Sequence, residues 1–247
     1  MHASPLQTWI KRHISVRQRL ERICTSYLLF LMVVTTKHSL QEAARFSGLH
    51  PSLFSKLLKS HSKVAITTLE KLSKTQSRQF AKALQRLDGL PWKIVILIDS
   101  TLQHRASLHP ENAKTFNHGK GYVIGHQWTN IVLVLGGMLI PLRPIPFYSK
   151  PYCQAHGLAY HSEQERVVAY LRTLDLEDYI GAYDQREVLV LADSGYDNKK
   201  IEKAIAAKGW HFIIALNKTR SVKSEALALT TPTSRQWCHI DTFFRRH

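Results

Sequence analysis

Cysteine is scarce in this chain, and so is negative charge. Only Cys24, Cys153 and Cys238 occur among 247 residues. Their odd number and wide spacing exclude a disulfide framework and a zinc knuckle. A reducing cytoplasm suits such a chain. Long hydrophobic runs are also missing. The longest apolar stretch near the N-terminus, Tyr27 to Val34, is too short to cross a bilayer. Met1 to Ile10 is polar, and no small-residue cleavage site follows the Tyr27 run, so no signal peptide is expected. The histidines are scattered without H-E-x-x-H spacing, and no G-x-S-x-G pattern activates a serine. These absences exclude a membrane span and the familiar zinc-protease and serine-hydrolase arrangements.

What the chain has is positive charge. There are 34 Lys+Arg against 18 Asp+Glu, a net +16 with pI near 9.9. A polyanion is therefore the expected partner, and without a membrane segment that means nucleic acid. The charge is concentrated at the front: residues 1–90 carry most of the excess. This asymmetry separates a basic module from a more neutral body.

Two stretches of the body repeat one pattern. In WKIVILIDST the apolar run Ile94 to Ile98 meets Asp99, and in EVLVLADSGYDNKK the run Val188 to Ala192 meets Asp193, each Asp followed by Ser. Continuous apolar runs of five fit strands buried on both faces. Chemistry in open α/β sheets gathers at the carboxyl ends of strands. If the strands are neighbours, both carboxylates reach one sheet edge. There they repel one another unless a cation offsets the charge. Hard oxygen ligands without His or Cys favour Mg²⁺ or Mn²⁺. The alternative for Asp193 is a purely local one, capping the next turn or helix.

ILIDST, then LVLADSGYDNKKIEKAI and a strand ending in ALNK, resembles the DDE transposases of bacterial insertion sequences. In particular it resembles the subgroup with a β-rich insertion before the last acid. The likeness runs from Ile94 to Lys218. It implies an α/β fold with a ribonuclease H-like mixed sheet, whose first acid on the first strand matches Asp99 and whose second acid on the fourth strand matches Asp193. It implies Mg²⁺ or Mn²⁺ as cofactor and DNA cleavage and strand transfer at transposon ends as activity. The implied partners are double-stranded DNA and, as a candidate assembly, a homodimer, in a cytoplasmic, nucleoid-associated setting. The family's third acid, a Glu in a Tyr-Arg-Glu-Lys type pattern, has no match. Glu225 lacks the Tyr-Arg before it and reads as a solvated helix-start residue, and Asp241 is a poorer match still. The end at Phe243-Phe244 reads as a truncation inside the β-rich insertion, so this chain alone is expected not to transpose.

Element order follows from periodicity. The basic segment Leu6 to Ile23 is loosely helical, and Cys24 to Thr36, apolar almost all round, reads as a buried helix. Ser39 or His38 starts a helix, LQEAARF, which Ser47-Gly48-Leu49 interrupts. Pro51 opens the next, PSLFSKLLKS. With Leu49, Phe54 and Leu57 as core and Ala44 at the close approach, this is helix-turn-helix spacing. Ser52, Ser55, Lys56 and Lys59 would be its DNA-facing side; a helical hairpin that binds nothing shows the same pattern. Ser62 to Leu90 predicts one or two further helices. Asp88-Gly89-Leu90-Pro91 marks a break.

Leu102 to Gly121 reads as a loop, with Arg105 and Lys120 near DNA phosphate or simply on a mobile surface. Ser100 and Ser194 read as turn formers. Trp128 to Leu135 and Met138 to Leu142 predict a hairpin around Gly136-Gly137. Ser162 to Leu174 predicts a helix opened by a Ser-Glu-Gln-Glu cap. Lys199 to Lys208 is a second helix, and His211 to Leu216 a last strand. The expected domains are therefore 1–90, an all-α helix-turn-helix-type module; 91–220, the catalytic core; and 221–247, the start of the insertion. Two other functions remain open: a helix-turn-helix DNA-binding protein whose body is only a scaffold, and a metal nuclease that cuts without joining.

Overall fold

The computed structural model describes residues 18–34, 39–84, 94–104, 111–117, 122–217, 221–223 and 237–239, with Thr8 and Arg12. The side chains of some of these, 60–69 among them, stay outside the description. Two compact units result, Met1–Gln76 and Ser77–His247.

The first unit is helical. Helix α1 (Gln18–Val33) is followed by α2 (Leu40–Ser47) and by α3, which begins at Pro51 and runs unbroken to Leu84. Ser39 caps α2 by accepting from the Glu42 N–H, and Gly48 ends it in the left-handed conformation. Phe30, Ala43 and Phe54 are fully buried, with Ile23 and Leu57 beside them. The Tyr27 ring lies 5.6 Å from that of Phe54, centroid to centroid. Two expectations are corrected. Helix α1 is not buried all round, since Leu29, Leu31 and Val33 are exposed; one apolar face suffices for this small core. The segment expected as several helices is one, because no Gly or Pro interrupts residues 52–84.

The second unit is a mixed sheet with helices. Its strands are β1 (Ile94–His104), β2 (Lys114–Asn117), β3 (Tyr122–Leu135), β4 (Met138–Pro141), β5 (Ile145–Pro146), β6 (Val188–Ala192) and β7 (His211–Ile214). Strand β3 lies antiparallel to β1 and to β4, whereas β6 runs parallel to β1, and β7 parallel to β6. The sequence β4-β3-β1-β6-β7 is thus three antiparallel strands followed by two parallel ones, the arrangement of the ribonuclease H-like fold. Strands β2 and β5 pair with the half of β3 that extends past β4. Gly136 and Gly137, at φ 52° and 90°, make the two-residue turn between β3 and β4 as expected.

The core follows strand alternation. Ile94, Ile96 and Ile98 of β1 share a buried face with Ile131, Leu133 and Leu135 of β3 and Val188 and Val190 of β6. In chain order the short α4 (Lys150–Ala155) precedes α5 (Glu163–Thr173), and α6 (Glu177–Ile180) follows it. Helix α5 contributes Val167, Val168 and Leu171 to the core, and α7 (Lys199–Ala206) adds Ile201, Ala204 and Ile205. Residues 77–84, the last turns of α3, belong to this second unit, and Ala81 is part of its core. On the opposite sheet face Val95, Leu97, Val132, Val134 and Leu191 are only half-buried.

Strand β1 does not stop at Asp99. It continues to His104, paired with β3 alone, so Ser100 is a strand residue rather than a turn former. Leu102–His104 and Lys114–Asn117 are strand as well, which shortens the expected loop from both sides. After β7, β8 (Ser221–Lys223) and β9 (Trp237–His239) form a separate antiparallel pair. The Asp88–Pro91 break lies outside the described residues.

Candidate active site at the sheet edge

The parallel ladder between β1 and β6 runs from Ile94 opposite Val188 to Ile98 opposite Ala192. Asp99 and Asp193 are the next residues on each strand. In a parallel pair, residues at one level share a face, and neighbouring strands are about 4.8 Å apart. Both Asp therefore stand just past one end of the β1–β6 ladder and on one face, that of Val95, Leu97, Leu189 and Leu191. Both are exposed.

The capping alternative for Asp193 is real in part. Its Oδ1 accepts from the Gly195 N–H at 3.0 Å and caps the 3₁₀ turn Ser194–Tyr196. A carboxylate has about four lone-pair sites, so this bond leaves Asp193 with acceptor capacity. Asn130 lies directly across from Asp99 on β3 and donates to Thr101 Oγ1 at 2.6 Å. The floor of this edge is thus polar, and its donor set is oxygen-rich. Two carboxylates with neutral oxygens beside them fit a hard divalent cation such as Mg²⁺ or Mn²⁺. Among the described residues no group of three His, Cys, Asp or Glu is placed to hold a metal ion. Glu225 and Asp241 lie outside them.

The other sheet face carries a network that the strand-end pattern does not reveal. Glu163, half-buried at the start of α5, accepts from Thr129 Oγ1 at 2.8 Å and Tyr196 Oη at 2.8 Å through Oε1, and from Gln127 Nε2 at 2.9 Å through Oε2. Thr129 sits opposite Ser100 on β3. Tyr196 is almost fully buried, and burial holds its phenol above the ordinary value, with the Glu163 carboxylate pushing the same way. Gln164, beside Glu163, donates to the Gly195 carbonyl at 3.0 Å and accepts from Asn198 Nδ2. Asp197 accepts from the Asn217 N–H at 2.9 Å, tying the chain after β7 to the same turn. One signal for Glu163 was available. Ser162 and Glu165 complete the capping box by themselves, so the second acid of that first turn was surplus to helix initiation.

In the helical unit, Ser52, Lys56 and Lys59 are exposed on one face of α3. Ser55 is half-buried, and the Ser52 hydroxyl lies 2.8 Å from His50 Nδ1. Arg105 and Lys120 lie outside the described residues. A cleft lined by Tyr183, Gln185, Arg186 and Gly209 is found where β6 and β7 begin, the end of the sheet away from Asp99 and Asp193. No helix among the described residues is long and apolar enough to cross a membrane.

No curated protein matches the sequence. Solved structures that are similar include a Mos1 transposase paired-end complex with the left transposon end. It is 13% identical over 83% of this chain and 65% of that chain, with TM-score 0.28. A pre-cleavage Mos1 transpososome is 11% identical, with 81% and 60% covered and TM-score 0.21. The chain thus spans less than two thirds of the length of either. The fold assignment rests on strand order and sense instead. The family model described as the transposase DDE domain matches residues 91–240, and these include every strand of the mixed sheet, Asp99 and Asp193. The chain belongs to the transposase DDE domain family.

Proposed function

We propose that the edge holding Asp99 and Asp193 is the phosphoryl-transfer site of a DNA transposase acting at transposon ends. The observation that carries this reading is the β1–β6 register, which brings the two acids to one edge and one face within the matched domain. Asp99 and Asp193 would hold Mg²⁺ or Mn²⁺, whose charge would stabilise phosphate oxygens and lower the pKa of bound water. The carboxylates keep the site anionic and oxygen-lined, and the rigid ladder beneath fixes their spacing. Ser52, Ser55, Lys56 and Lys59, with Arg105 and Lys120, would contact duplex DNA. Residues 221–247, with the β8–β9 pair, are the start of a β-rich insertion in this reading, and 1–90 the DNA-binding domain.

Two carboxylates fix too few ligands to position two cations, and positioning supplies much of the catalysis in such transfers. The 247-residue chain is therefore expected to bind Mn²⁺ weakly and DNA in a salt-sensitive way, with cleavage of a terminal-repeat oligonucleotide near background. Titration with Mn²⁺ followed by electron paramagnetic resonance tests the site. Asp99→Asn and Asp193→Asn should each abolish binding; retention in both would overturn the assignment. Robust Mg²⁺-dependent cleavage abolished by Glu225→Gln would show instead that the third acid is present. Joining of a cut end to a second duplex would separate a transposase from a nuclease.

A further inference from the structure

Glu163 has no part in the two-acid edge, yet its carboxylate gathers three donors from two different places. Gln127 and Thr129 come from β3, where they pair with Leu102 and Ser100, immediately beyond Asp99. Tyr196 comes from the turn that begins at Asp193. One carboxylate therefore joins the support of the first acid to the support of the second. Gln164 adds two more bonds to that turn, at Gly195 and Asn198. Burying a carboxylate is unfavourable unless its lone pairs are satisfied, and here each oxygen has a donor. Helix initiation does not require Glu163, because Ser162 and Glu165 already form the cap.

We propose that Glu163, assisted by Gln164, is a positioning residue that holds the Asp193 turn in place against β3 and so sets the separation of Asp193 from Asp99. The metal-related half of this inference rests on the proposed site at Asp99 and Asp193; the structural half does not. Partners that orient metal ligands typically change affinity about 10- to 100-fold when removed. The chemistry also distinguishes substitutions. In Glu163→Gln the amide oxygen still accepts from Tyr196 and Thr129, and Gln127 can turn its own amide oxygen toward the new NH₂. In Glu163→Ala the nearly buried hydroxyls of Thr129 and Tyr196 lose their carboxylate acceptor and keep each other, 3.4 Å apart, with Ser100 beside Tyr196.

Two measurements on the full chain decide the matter. Hydrogen exchange read by mass spectrometry should show residues 194–198 exchanging at least about tenfold faster in Glu163→Ala, with β6 unchanged and Glu163→Gln close to the parent; local opening of this kind is separable from global unfolding. Titration with Mn²⁺ alone should show affinity about 10-fold or more weaker in Glu163→Ala, with Glu163→Gln near the parent value. Unchanged exchange at 194–198 overturns the proposal outright. A loosened turn with unchanged Mn²⁺ affinity overturns its link to the metal. If the parent chain binds no Mn²⁺, or Asp99→Asn binds it equally well, the site assignment fails while exchange still decides whether Glu163 holds the turn. Should Glu163→Ala not fold, Tyr196→Phe removes the same tie through a single hydroxyl, and the same exchange readout applies.

Discussion

At the scale of single residues, the most informative side chain is Tyr196. Its phenol is buried and bonded to an acid, so the folded state keeps the proton that the unfolded state gives up near the ordinary value of 10. A folded pKa raised above the unfolded one contributes stability that is fully present below pH 10 and is lost as pH rises beyond it. Thermal stability should therefore fall above about pH 10, and Tyr196→Phe should flatten that decline. The same substitution should cost about 1–1.5 kcal/mol at neutral pH, the net worth of a hydrogen bond, measurable by urea denaturation. The shared placement of Asp99 and Asp193 beside paired strands was legible from sequence because an apolar run that stops at an acid is a one-dimensional pattern. For Glu163 the sequence offers only an acid surplus to its helix cap, because its partners Gln127, Thr129 and Tyr196 lie more than thirty positions away. Nothing in a single stretch shows a contact assembled by sheet pairing.

Among the elements, helices are most legible where their ends carry local chemistry. Ser162 and Glu165 cap α5 where the sequence places them, and of His38 and Ser39 it is Ser39 that caps α2. Ser162→Ala should cost about 1 kcal/mol in thermal unfolding, the typical worth of an N-cap. The full length of β1 is hidden in the sequence for a physical reason. From Asp99 to His104 the strand has a partner on one side only and stands partly in solvent, so its residues turn polar although the backbone pairing with β3 continues. Gly125 shows how close that pairing is. A Cβ there would meet the Gln103 carbonyl oxygen at 2.2 Å, and backbone cannot step aside as a side chain can. Gly125→Ala should destabilise the sheet unit by about 3 kcal/mol, at the upper end for overpacking, and lower Tm by about 6–12 °C. Gly137→Ala meets no neighbouring atom, and its cost, read in the same melt, should be limited to the left-handed backbone, about 1–2 kcal/mol.

For the molecule as a whole, composition forecast a polyanion partner, and the uneven charge suggests where it binds. If the helical unit binds duplex phosphates, log K against log salt should slope steeply downward. Lys56→Ala with Lys59→Ala should lessen that slope by about 2, near 0.9 for each phosphate that a lysine no longer neutralises. An unchanged slope would move the DNA-binding surface elsewhere. Fold class was also legible at this scale, since apolar runs, a Gly-Gly hairpin and capped helices alternate in a fixed order; relative strand sense was not. The β1–β6 pairing joins segments 94 positions apart in sequence (99 to 193), and that separation bears on how the chain acquires its shape in time. Closing a long loop costs entropy before any contact repays it, so distant pairings form late. The β3–β4 hairpin can close early around its own turn. Strand β6 must wait for everything between, and a chain arrested before it docks would own both aspartates and hold neither beside the other.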